Sequence, residues 1–458
     1  MRILHTADWH LGHTLRDHSQ EAEHVHFLGW LVQTVVARRV DVLLIAGDVF
    51  DTANPPPAAW RLWFQFLGEL KRERPEVQVV VIAGNHDSAA RLEAPRDLLA
   101  AFDVRVVGSV VRGSDGKLKF DELLVPLRGA DGKVAGICAA VPFLRGSDVL
   151  ALVPPKPPVA NPESTRGAGD YLIPRPLEPV VMPEDLPDPL IEGMRTLHEE
   201  LFAAARARLQ PGQALVAMAH GYLVGGALSE LSERKVLGGN QHALPLDLFP
   251  ADCAYVALGH LHRPQQLAGH EHVRYSGSPI PLSMPEREHA HHVVFADLNG
   301  AQLEKVWSLR VPRLVPLLRI PERGELEPQA ALAAVAQLPP REPKQAEELR
   351  PLLEVAVRLP EPAPSIGEQI ARACAEKNVR LVRVEVVMTG SAPGAERDTA
   401  GPPVELASLR PEDVFVRRYQ RDHEGPVPEP LLTAFRELLD SVENGAAEVM
   451  PPRSGAAR

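Results

Sequence analysis

The first hundred residues alternate short apolar runs with longer amphipathic stretches. The stretches at 20–38 and 58–74 place their apolar residues at helical spacing, and the second follows a triple proline at 55–57. The runs around these stretches have the length and the β-branched content of buried strands, and they lie at 2–6, 42–46 and 77–83. Alternation of this kind predicts a layered α/β domain.

One proline-rich interruption separates this pattern from its continuation. Residues from about 154 to 190 are rich in proline, which cannot continue a helix or an inner strand, so an exposed loop is expected there. A helix is then predicted at 191–209, and strands at 214–219 and 254–258. Short strands and turns from 272 to about 312 are expected to form a second β-rich layer that closes the first domain.

The remainder of the chain is organised differently. From about 313, a strand–helix–strand–helix–strand series with helices near 328–337 and 366–377 predicts a small α+β domain. A linker at 390–403 leads to a last segment with one apolar helical face, which we interpret as a partner surface rather than ordinary core because it follows the linker. That face consists of Leu431, Leu432, Phe435, Leu438 and Leu439. The predicted domains are 1–312, 313–395 and 396–458.

Composition narrows the class of protein. A chain of 458 residues with 45% hydrophobic residues suits two or three domains with substantial cores. Its net charge of −11 argues against a protein that coats nucleic acid with its whole surface, though not against local basic patches. Three widely spaced cysteines give no disulfide framework and favour a reducing compartment. No apolar run reaches the roughly 18 residues of a membrane span, so a soluble, cytoplasmic protein with no membrane partner is expected.

Five of the predicted strands end in side chains that bind metal ions. Ligands of open α/β sheets sit outside the carboxyl ends of the strands, so these side chains are expected to converge on one crevice. Gly47, Gly84 and Gly259 precede three of them and permit sharp turns at the strand ends. A single such residue is more often a cap or turn residue, but the ordered set of five favours a metal centre. In chain order the side chains are Asp8 and His10, Asp48, Asn85 with His86 and Asp87, His220, and His260 with His262.

This mixture of carboxylate, amide and imidazole groups suits two neighbouring cations. A pair of metal ions about 3.5–4 Å apart activates a water and stabilises both oxygens of an in-line displacement at phosphorus. Asp48 is the predicted bridge, and the donors favour Mn, Fe, Zn or Co over Ca, with Mn as the expected metal. His86 is left free to neutralise charge on the substrate or to protonate the leaving oxygen. One site is assigned Asp8, His10 and one of His260 and His262, and the other is assigned Asn85, His220 and the remaining histidine.

The same motifs resemble those of the calcineurin-like metallophosphoesterases. Within that superfamily the chain is more similar to the SbcD nuclease subunits of bacterial SbcCD complexes. The resemblance spans nearly the whole chain, although the proline-rich stretch at 154–190 is unlike the family pattern. The segments that carry it are DWHLG at 8–12, LIAGDVFDT at 44–52, VIAGNHDS at 81–88, YVALGHLHRPQ at 255–265, VRYSGSPIPLS at 273–283 and SLRPEDVFVRRYQ at 408–420.

The resemblance implies a fold, an activity and partners. The fold would be α/β: a four-layer metallophosphoesterase β-sandwich flanked by helices, with a small α+β domain that caps the DNA and a C-terminal helical segment that docks on a partner. The activity would be that of a manganese-dependent nuclease of DNA repair, recombination and replication, a 3′–5′ exonuclease on duplex ends and an endonuclease on hairpins. The obligate partner would be SbcC, a coiled-coil ATPase that makes cleavage ATP-dependent. Two nuclease subunits would dimerise within a heterotetramer, through helices for which 58–74 and 88–102 are candidates.

The resemblance also gives each site residue a role. Some relatives carry a second active-site histidine shortly after the GD motif, and this chain has Asp51 there instead. His86 would be the catalytic histidine. Asp8, His10, Asp48 and His262 would hold one metal ion, and Asp48, Asn85, His220 and His260 would hold the other.

Two other functions fit parts of the pattern. The main alternative is a metal-dependent phosphomonoesterase of the same superfamily. Phosphoprotein phosphatases of that kind carry GDxxDRG, whose arginine clamps a terminal phosphate, but no arginine lies between Asp48 and Trp60 here. The missing arginine favours a phosphodiester substrate. A scaffold without catalysis is disfavoured because every expected ligand is present.

Histidines outside the strand-end motifs receive structural interpretations. His24 and His26 lie on the helix predicted at 20–38 and are expected at its surface. His13 follows the first motif, and two positions are open to it: lining the cleft or lying outside it. The second is favoured. A short tract of histidines is expected to lie at a solvated strand edge rather than to bind a metal ion. Its members are His289, His291 and His292.

Overall fold

The computed structural model describes residues 1–114, 118–149, 188–227, 244–360 and 365–388, and eight residues between 415 and 435. The chain divides into two compact units, Met1–Gly390 and Ser391–Arg458. Of the predicted C-terminal apolar face, Leu431, Leu432 and Phe435 are helical, whereas Leu438 and Leu439 lie outside the described residues. Most of the proline-rich stretch, up to residue 187, also lies outside them.

The strands of the first unit begin at the second residue and continue to residue 388. In chain order they are β1 (Arg2–Thr6), β2 (Thr14–Leu15), β3 (His18–Ser19), β4 (Val42–Ala46), β5 (Gln78–Ile82), β6 (Val104–Val107), β7 (Leu124–Arg128), β8 (Val134–Ala140), β9 (Ala214–His220), β10 (Tyr255–Gly259), β11 (Gln265–Leu267), β12 (His270–Tyr275), β13 (His292–Asn299), β14 (Gln302–Arg310), β15 (Leu317–Ile320), β16 (Leu352–Leu359) and β17 (Arg380–Met388).

Two six-stranded sheets form the centre of this unit. The first has the order β14-β13-β1-β4-β5-β6, and the second has the order β11-β12-β10-β9-β8-β7. In the first sheet β1, β4, β5 and β6 are parallel. In the second sheet β8, β9, β10 and β12 are parallel. Because parallel strands end at the same edge of a sheet, this topology places the predicted ligand-bearing strand ends of each sheet side by side.

Helices lie against the two six-stranded sheets, and the last two helices pack on a separate, smaller sheet. In chain order they are α1 (Glu21–Ala37), α2 (Pro57–Glu73), α3 (Ala89–Glu93), α4 (Arg96–Ala100), α5 (Phe120–Leu123), α6 (Gly146–Val149), α7 (Pro189–Arg208), α8 (Pro328–Ala336) and α9 (Ile366–Cys374). None of those in the described part of the chain combines the length and the apolar character that a membrane crossing requires.

Burial explains why the central strands are apolar throughout. All five residues of β4 and all five of β5 are buried, because each strand has one face toward the other sheet and one toward helices. On the helical side, Phe27 of α1 and Trp63 of α2 share an apolar cluster with Leu43 of β4. On the far side, α7 packs its buried face, which includes Leu197, in a second apolar cluster that also includes residues of both sheets. The predicted four-layer α/β sandwich is confirmed.

The segment after residue 313 forms its own three-stranded sheet. Its order is β15-β16-β17, and all three strands are parallel, with α8 and α9 as the connections. Ala331 and Val335 of α8 and Ile370 of α9 pack with Val355 and other residues of this sheet in a separate apolar cluster. The strand–helix–strand–helix–strand series predicted from the sequence is present. The domain boundaries at 312/313 and 395/396 stay predictions.

Two histidines that were predicted to be solvated are buried instead. His24 has no exposed surface, and its Nε2 lies 2.9 Å from the carbonyl oxygen of Trp9, because position 24 falls on the inner face of α1. His291 is 4% exposed, with Nδ1 2.8 Å from the Ser278 carbonyl and Nε2 3.1 Å from the Glu286 carbonyl. Both predictions were wrong because hydrogen bonds to distant backbone allow these rings to be buried.

Candidate metal centre

All eight predicted site residues meet at the carboxyl ends of β1, β4, β5, β9 and β10. Asn85 joins the cluster through its side-chain oxygen, which lies 3.0 Å from His220 Nε2 and 3.0 Å from His260 Nδ1. Among the carboxylate and imidazole groups other than His260, three sets have ligand atoms within 4.8 Å of one another: Asp8, His10 and His262; His10, Asp48 and His86; and Asp8, Asp48 and His220.

Asp48 stands at the middle of this cluster. Its Oδ2 lies 3.6 Å from His10 Nε2 and 3.4 Å from His220 Nε2, so one oxygen faces histidines of both predicted sites. Its Oδ1 accepts a hydrogen bond of 2.8 Å from the backbone N–H of His86. A carboxylate placed in this way can be shared between two cations.

The donor atoms fit divalent metal ions. His10 Nε2 is buried and has no hydrogen-bond partner among the described residues. A buried polar atom without a partner costs about 1–3 kcal/mol, and a bound cation would remove that cost. The surrounding donors are imidazole nitrogens and carboxylate or amide oxygens, which suit transition metals such as Mn, Fe, Zn and Co.

The backbone around the site is strained at the residues that project into it. Non-glycine residues rarely adopt positive φ, yet φ is 55° at Asp8, 48° at His10, 49° at Asp48 and 105° at His260. Each such conformation costs about 1–3 kcal/mol, and strain of this kind concentrates at functional sites.

Two of the three glycines before the candidate ligands act differently from the prediction. Gly47 has φ 90° and makes the expected turn. Gly84 and Gly259 do not have positive φ, and they are required because the strand ends approach each other closely. A Cβ on Gly84 would lie 2.1 Å from Asp48 Oδ1, and one on Gly259 would lie 1.8 Å from the carbonyl oxygen of Ala46.

Electrostatics keep the central carboxylate charged. Burial alone would raise the pKa of Asp48, but the neighbouring His220 and His10 hold it well below the usual range. Burial lowers the pKa of His220, and the carboxylates of Asp48 and Asp8 outweigh that effect and raise it to about 9. Burial raises the pKa of Asp8 to about 7, against the opposing influence of His220 and His262. Two buried carboxylates this close together favour a cation between them.

Hydrogen bonds set the orientation of four of the histidines. Where Nδ1 donates its proton to the oxygen that it faces, Nε2 is left as the atom that can face a metal ion or the substrate. The four contacts made by Nδ1 are His10 to Asp51 Oδ1 at 3.2 Å, His86 to the Asp51 carbonyl at 2.7 Å, His220 to the Ala46 carbonyl at 2.8 Å, and His262 to Glu286 Oε1 at 3.2 Å.

Three carboxylates support the site in ways that were not predicted, although Asp87 was among the strand-end side chains expected in the crevice and Asp51 was noted after the GD motif. Asp51 lies beside His10 and also 3.0 Å from His13 Nδ1, whose other ring nitrogen lies 3.0 Å from the Leu282 carbonyl. Asp87 accepts hydrogen bonds from backbone N–H groups of Val49, Phe50 and Gly84. Glu286 accepts from His262. Asp51 and Asp87 stand inside the GDVFD and GNHD motifs, which could have signalled them, whereas Glu286 lies in no motif.

Comparisons with known proteins found family profiles and relatives that match most of the chain. The calcineurin-like phosphoesterase family profile matches residues 1–264, and the profile of the type 5 capsule protein repressor C-terminal domain matches residues 313–423. Curated proteins that are named as the D component of the nuclease SbcCD are similar over most of their length. The one from Rhodobacter capsulatus is 39% identical over 92% of this chain and 94% of its own length. Those from Escherichia coli K12 and Bacillus subtilis are 36% and 31% identical, over 69% and 67% of this chain and 70% and 68% of their own lengths.

Proposed function

This chain belongs to the SbcD family of nucleases within the calcineurin-like phosphoesterases, and from that premise we propose that it hydrolyses DNA phosphodiesters with two divalent metal ions. One observation carries the proposal: the Asp48 carboxylate lies between His10 of one predicted site and His220 of the other. A single-ion site would not require a buried carboxylate to face both sets.

The roles of the residues follow from their grouping. Asp48 is the shared ligand, and Mn²⁺ is the proposed ion at both sites. Asn85 belongs to the second site because its oxygen faces both His220 and His260. The first site would consist of Asp8, His10, Asp48 and His262, and the second of Asp48, Asn85, His220 and His260.

The proposed chemistry divides between the ions and the chain. When bound, the two ions supply an activated water and charge neutralisation at phosphorus. His86 is held by the Asp51 carbonyl through Nδ1, so its Nε2 is available to the substrate. In that position His86 would stabilise the charge that develops on the phosphoryl oxygens or protonate the leaving oxygen. Asp51 keeps this ring and the His10 ring in place.

The proposed partners and substrates follow from the family. The similar proteins are named as one component of the SbcCD nuclease, and we propose that this chain likewise works with the SbcC ATPase, as a homodimer within a heterotetramer. The proposed substrates are double-stranded ends, degraded 3′ to 5′, and hairpins, cut endonucleolytically, with ATP dependence conferred by SbcC. Three free, buried cysteines support a reducing compartment, and the cytoplasm is the proposed location.

A cleavage assay on end-labelled DNA tests this proposal. Purified protein with Mn²⁺ should degrade linear duplex and hairpin DNA weakly alone and strongly with SbcC and ATP, and EDTA should abolish both activities. Asp48→Asn should remove cleavage because the shared ligand loses its charge. Rapid release of phosphate from a simple monoester, with the DNA left intact, would instead support the phosphomonoesterase alternative.

A further inference from the structure

The 3-10 turn Met284–Glu288 lies between the metal centre and the three-stranded sheet β15–β17. Its inner side carries Glu286, whose side chain has no exposed surface. Its outer side carries Met284, which packs in an apolar cluster with Val315, Leu317 and Leu352. One short turn therefore touches both parts of the first unit.

Both carboxylate oxygens of Glu286 accept hydrogen bonds. Oε1 faces His262 Nδ1 at 3.2 Å and the Ser283 hydroxyl at 3.3 Å. Oε2 accepts from the Leu282 backbone N–H at 2.9 Å and from the Ser278 hydroxyl at 3.4 Å. Donors on both oxygens fix the carboxylate in place, so that it can in turn fix the ring of His262.

The outer side of the turn is tied to the segment around the three-stranded sheet by polar contacts as well. Arg287 Nη2 donates to the Glu322 carbonyl at 3.3 Å, just after β15, and Arg313 Nη1 donates to the Arg287 carbonyl at 3.3 Å, just before it. Movement of β15 would therefore pull on the turn, and the rigid carboxylate would pass that movement to His262.

We propose that Glu286 is a positioning residue for His262, and that the turn Met284–Glu288 couples the placement of the three-stranded sheet to the first metal site. The inference rests on the proposed function, because it assigns His262 as a metal ligand. Carboxylates that orient a ligand histidine in this way typically change metal affinity 10- to 100-fold when they are removed.

The substitution Glu286→Gln separates positioning from simple space filling. Glutamine keeps the size of the side chain but has one accepting oxygen, so its NH₂ group must face either His262 Nδ1–H or the Leu282 N–H. We expect one of two Mn²⁺ sites to weaken by about 10- to 100-fold, and the same site to be lost in His262→Ala. The other site should be unchanged. The measurement is the signal of free Mn²⁺ in electron paramagnetic resonance titrations, independent of catalysis.

The turn itself provides the matched control. Glu288 is exposed and lies two residues away, where it pairs with Arg287, so Glu288→Gln should leave both Mn²⁺ affinities at the wild-type values. Should Glu286→Gln fail to fold, Glu286→Asp keeps the charge but is one methylene shorter. It should still weaken the His262 site, because the shorter side chain falls short of Nδ1.

The coupling to the sheet is tested by Met284→Ala, which removes apolar contact on the outer side only. It should weaken the same Mn²⁺ site by a smaller factor, and adding it to Glu286→Gln should give no further loss. Two sites of unchanged affinity in Glu286→Gln, with only a lower thermal midpoint of the metal-free protein, would overturn the inference. Absence of Mn²⁺ binding by the wild-type protein would instead overturn the proposed function.

Discussion

The histidines of this protein differ in what faces their two ring nitrogens. Each of His10, His86, His220 and His262 has an oxygen at Nδ1 and leaves Nε2 for the candidate centre. His198 of α7 has the Met194 carbonyl at Nδ1, but its Nε2 is buried beside Phe202 and Phe249 and has no hydrogen-bond partner in the part of the chain that the structure describes. The first arrangement suits metal binding or catalysis. The second reduces the stability of a packed core, because a polar atom is buried there without a hydrogen bond from the described residues.

Removing the His86 ring should separate catalysis from metal binding. His86→Ala leaves all the proposed ligand residues in place, so we expect DNA cleavage to fall by about 10²–10⁴-fold, the usual contribution of an acid–base group. Mn²⁺ titrations of the same variant should still show two sites. Loss of an ion would show that His86 is a ligand. That is the specific alternative, because a ring nitrogen of His86 lies within 4.8 Å of ligand atoms of His10 and Asp48.

Replacing His198 should reduce the loss of stability in acid. Burial lowers the pKa of His198 to about 4, below the usual value of about 6.5 in the unfolded chain. As pH falls from 6.5 toward 4, the unfolded state binds a proton that the folded state cannot, so stability is lost across that window. The protonation of His198 in the unfolded state therefore lowers the free energy of unfolding by about 2 kcal/mol between pH 7 and pH 5.

The measurement for His198 is urea unfolding of the metal-free protein at pH 7 and pH 5. His198→Leu fills the same apolar surroundings without a titratable group, so the difference between the two pH values should shrink by about 2 kcal/mol relative to wild type. An unchanged difference would mean that the folded protein accommodates the charged ring.

Among the elements, those determined by local pattern were predicted well. Helix α1 was predicted at 20–38 and observed at Glu21–Ala37, and α2 was predicted at 58–74 and observed at Pro57–Glu73. The convergence of the candidate ligand residues was predicted because each follows an apolar strand. Glu286 and the burial of His24 were missed, since both depend on contacts with segments that are distant in the chain. The spacing of apolar residues along the chain does not predict such contacts.

The close approach of strand ends at the candidate site can be tested at Gly259. A Cβ there would lie 1.8 Å from the Ala46 carbonyl oxygen, so β10 or β4 must move in Gly259→Ala. We expect a loss of about 1–3 kcal/mol in the free energy of unfolding, together with weaker Mn²⁺ binding, because His260 is the next residue.

A second glycine gives the control for that experiment. Gly29 lies in the middle of α1, and a Cβ there would meet nothing within 4 Å. Gly29→Ala should therefore stabilise the protein by about 0.5–1 kcal/mol and leave Mn²⁺ affinity unchanged. Equal urea midpoints for the two variants would contradict the proposed role of close packing at Gly259.

At the scale of the first unit, the start of α1 and the residues before it link the sandwich to the three-stranded sheet. His18 Nε2 lies 3.1 Å from the Leu381 carbonyl in β17, and the Gln20 side chain donates to the Pro281 carbonyl in the segment that leads to Glu286. Glu23 accepts from the backbone N–H of Leu314 at 3.2 Å and of Val315 at 2.6 Å. The sequence predicted both parts, but not this link, because none of its residues belongs to a recognisable motif.

Glu23 should hold the start of the three-stranded sheet against α1. In Glu23→Gln one carboxylate oxygen becomes an NH₂ group that faces a backbone N–H, so one of the two hydrogen bonds to Leu314 and Val315 is lost. A loss of roughly 1.4 kcal/mol in local stability corresponds to about tenfold faster hydrogen exchange at these amides. Hydrogen–deuterium exchange followed by mass spectrometry should show this change in a peptide spanning 311–317, with strands β4 and β5 unaffected.

Glu21→Gln, an exposed change in the first turn of the same helix, should leave the exchange of that peptide at the wild-type rate. If Glu23→Gln also exchanged at the wild-type rate, the link between the two parts would have to reside in other contacts, such as that of His18 with β17 and those of the turn Met284–Glu288.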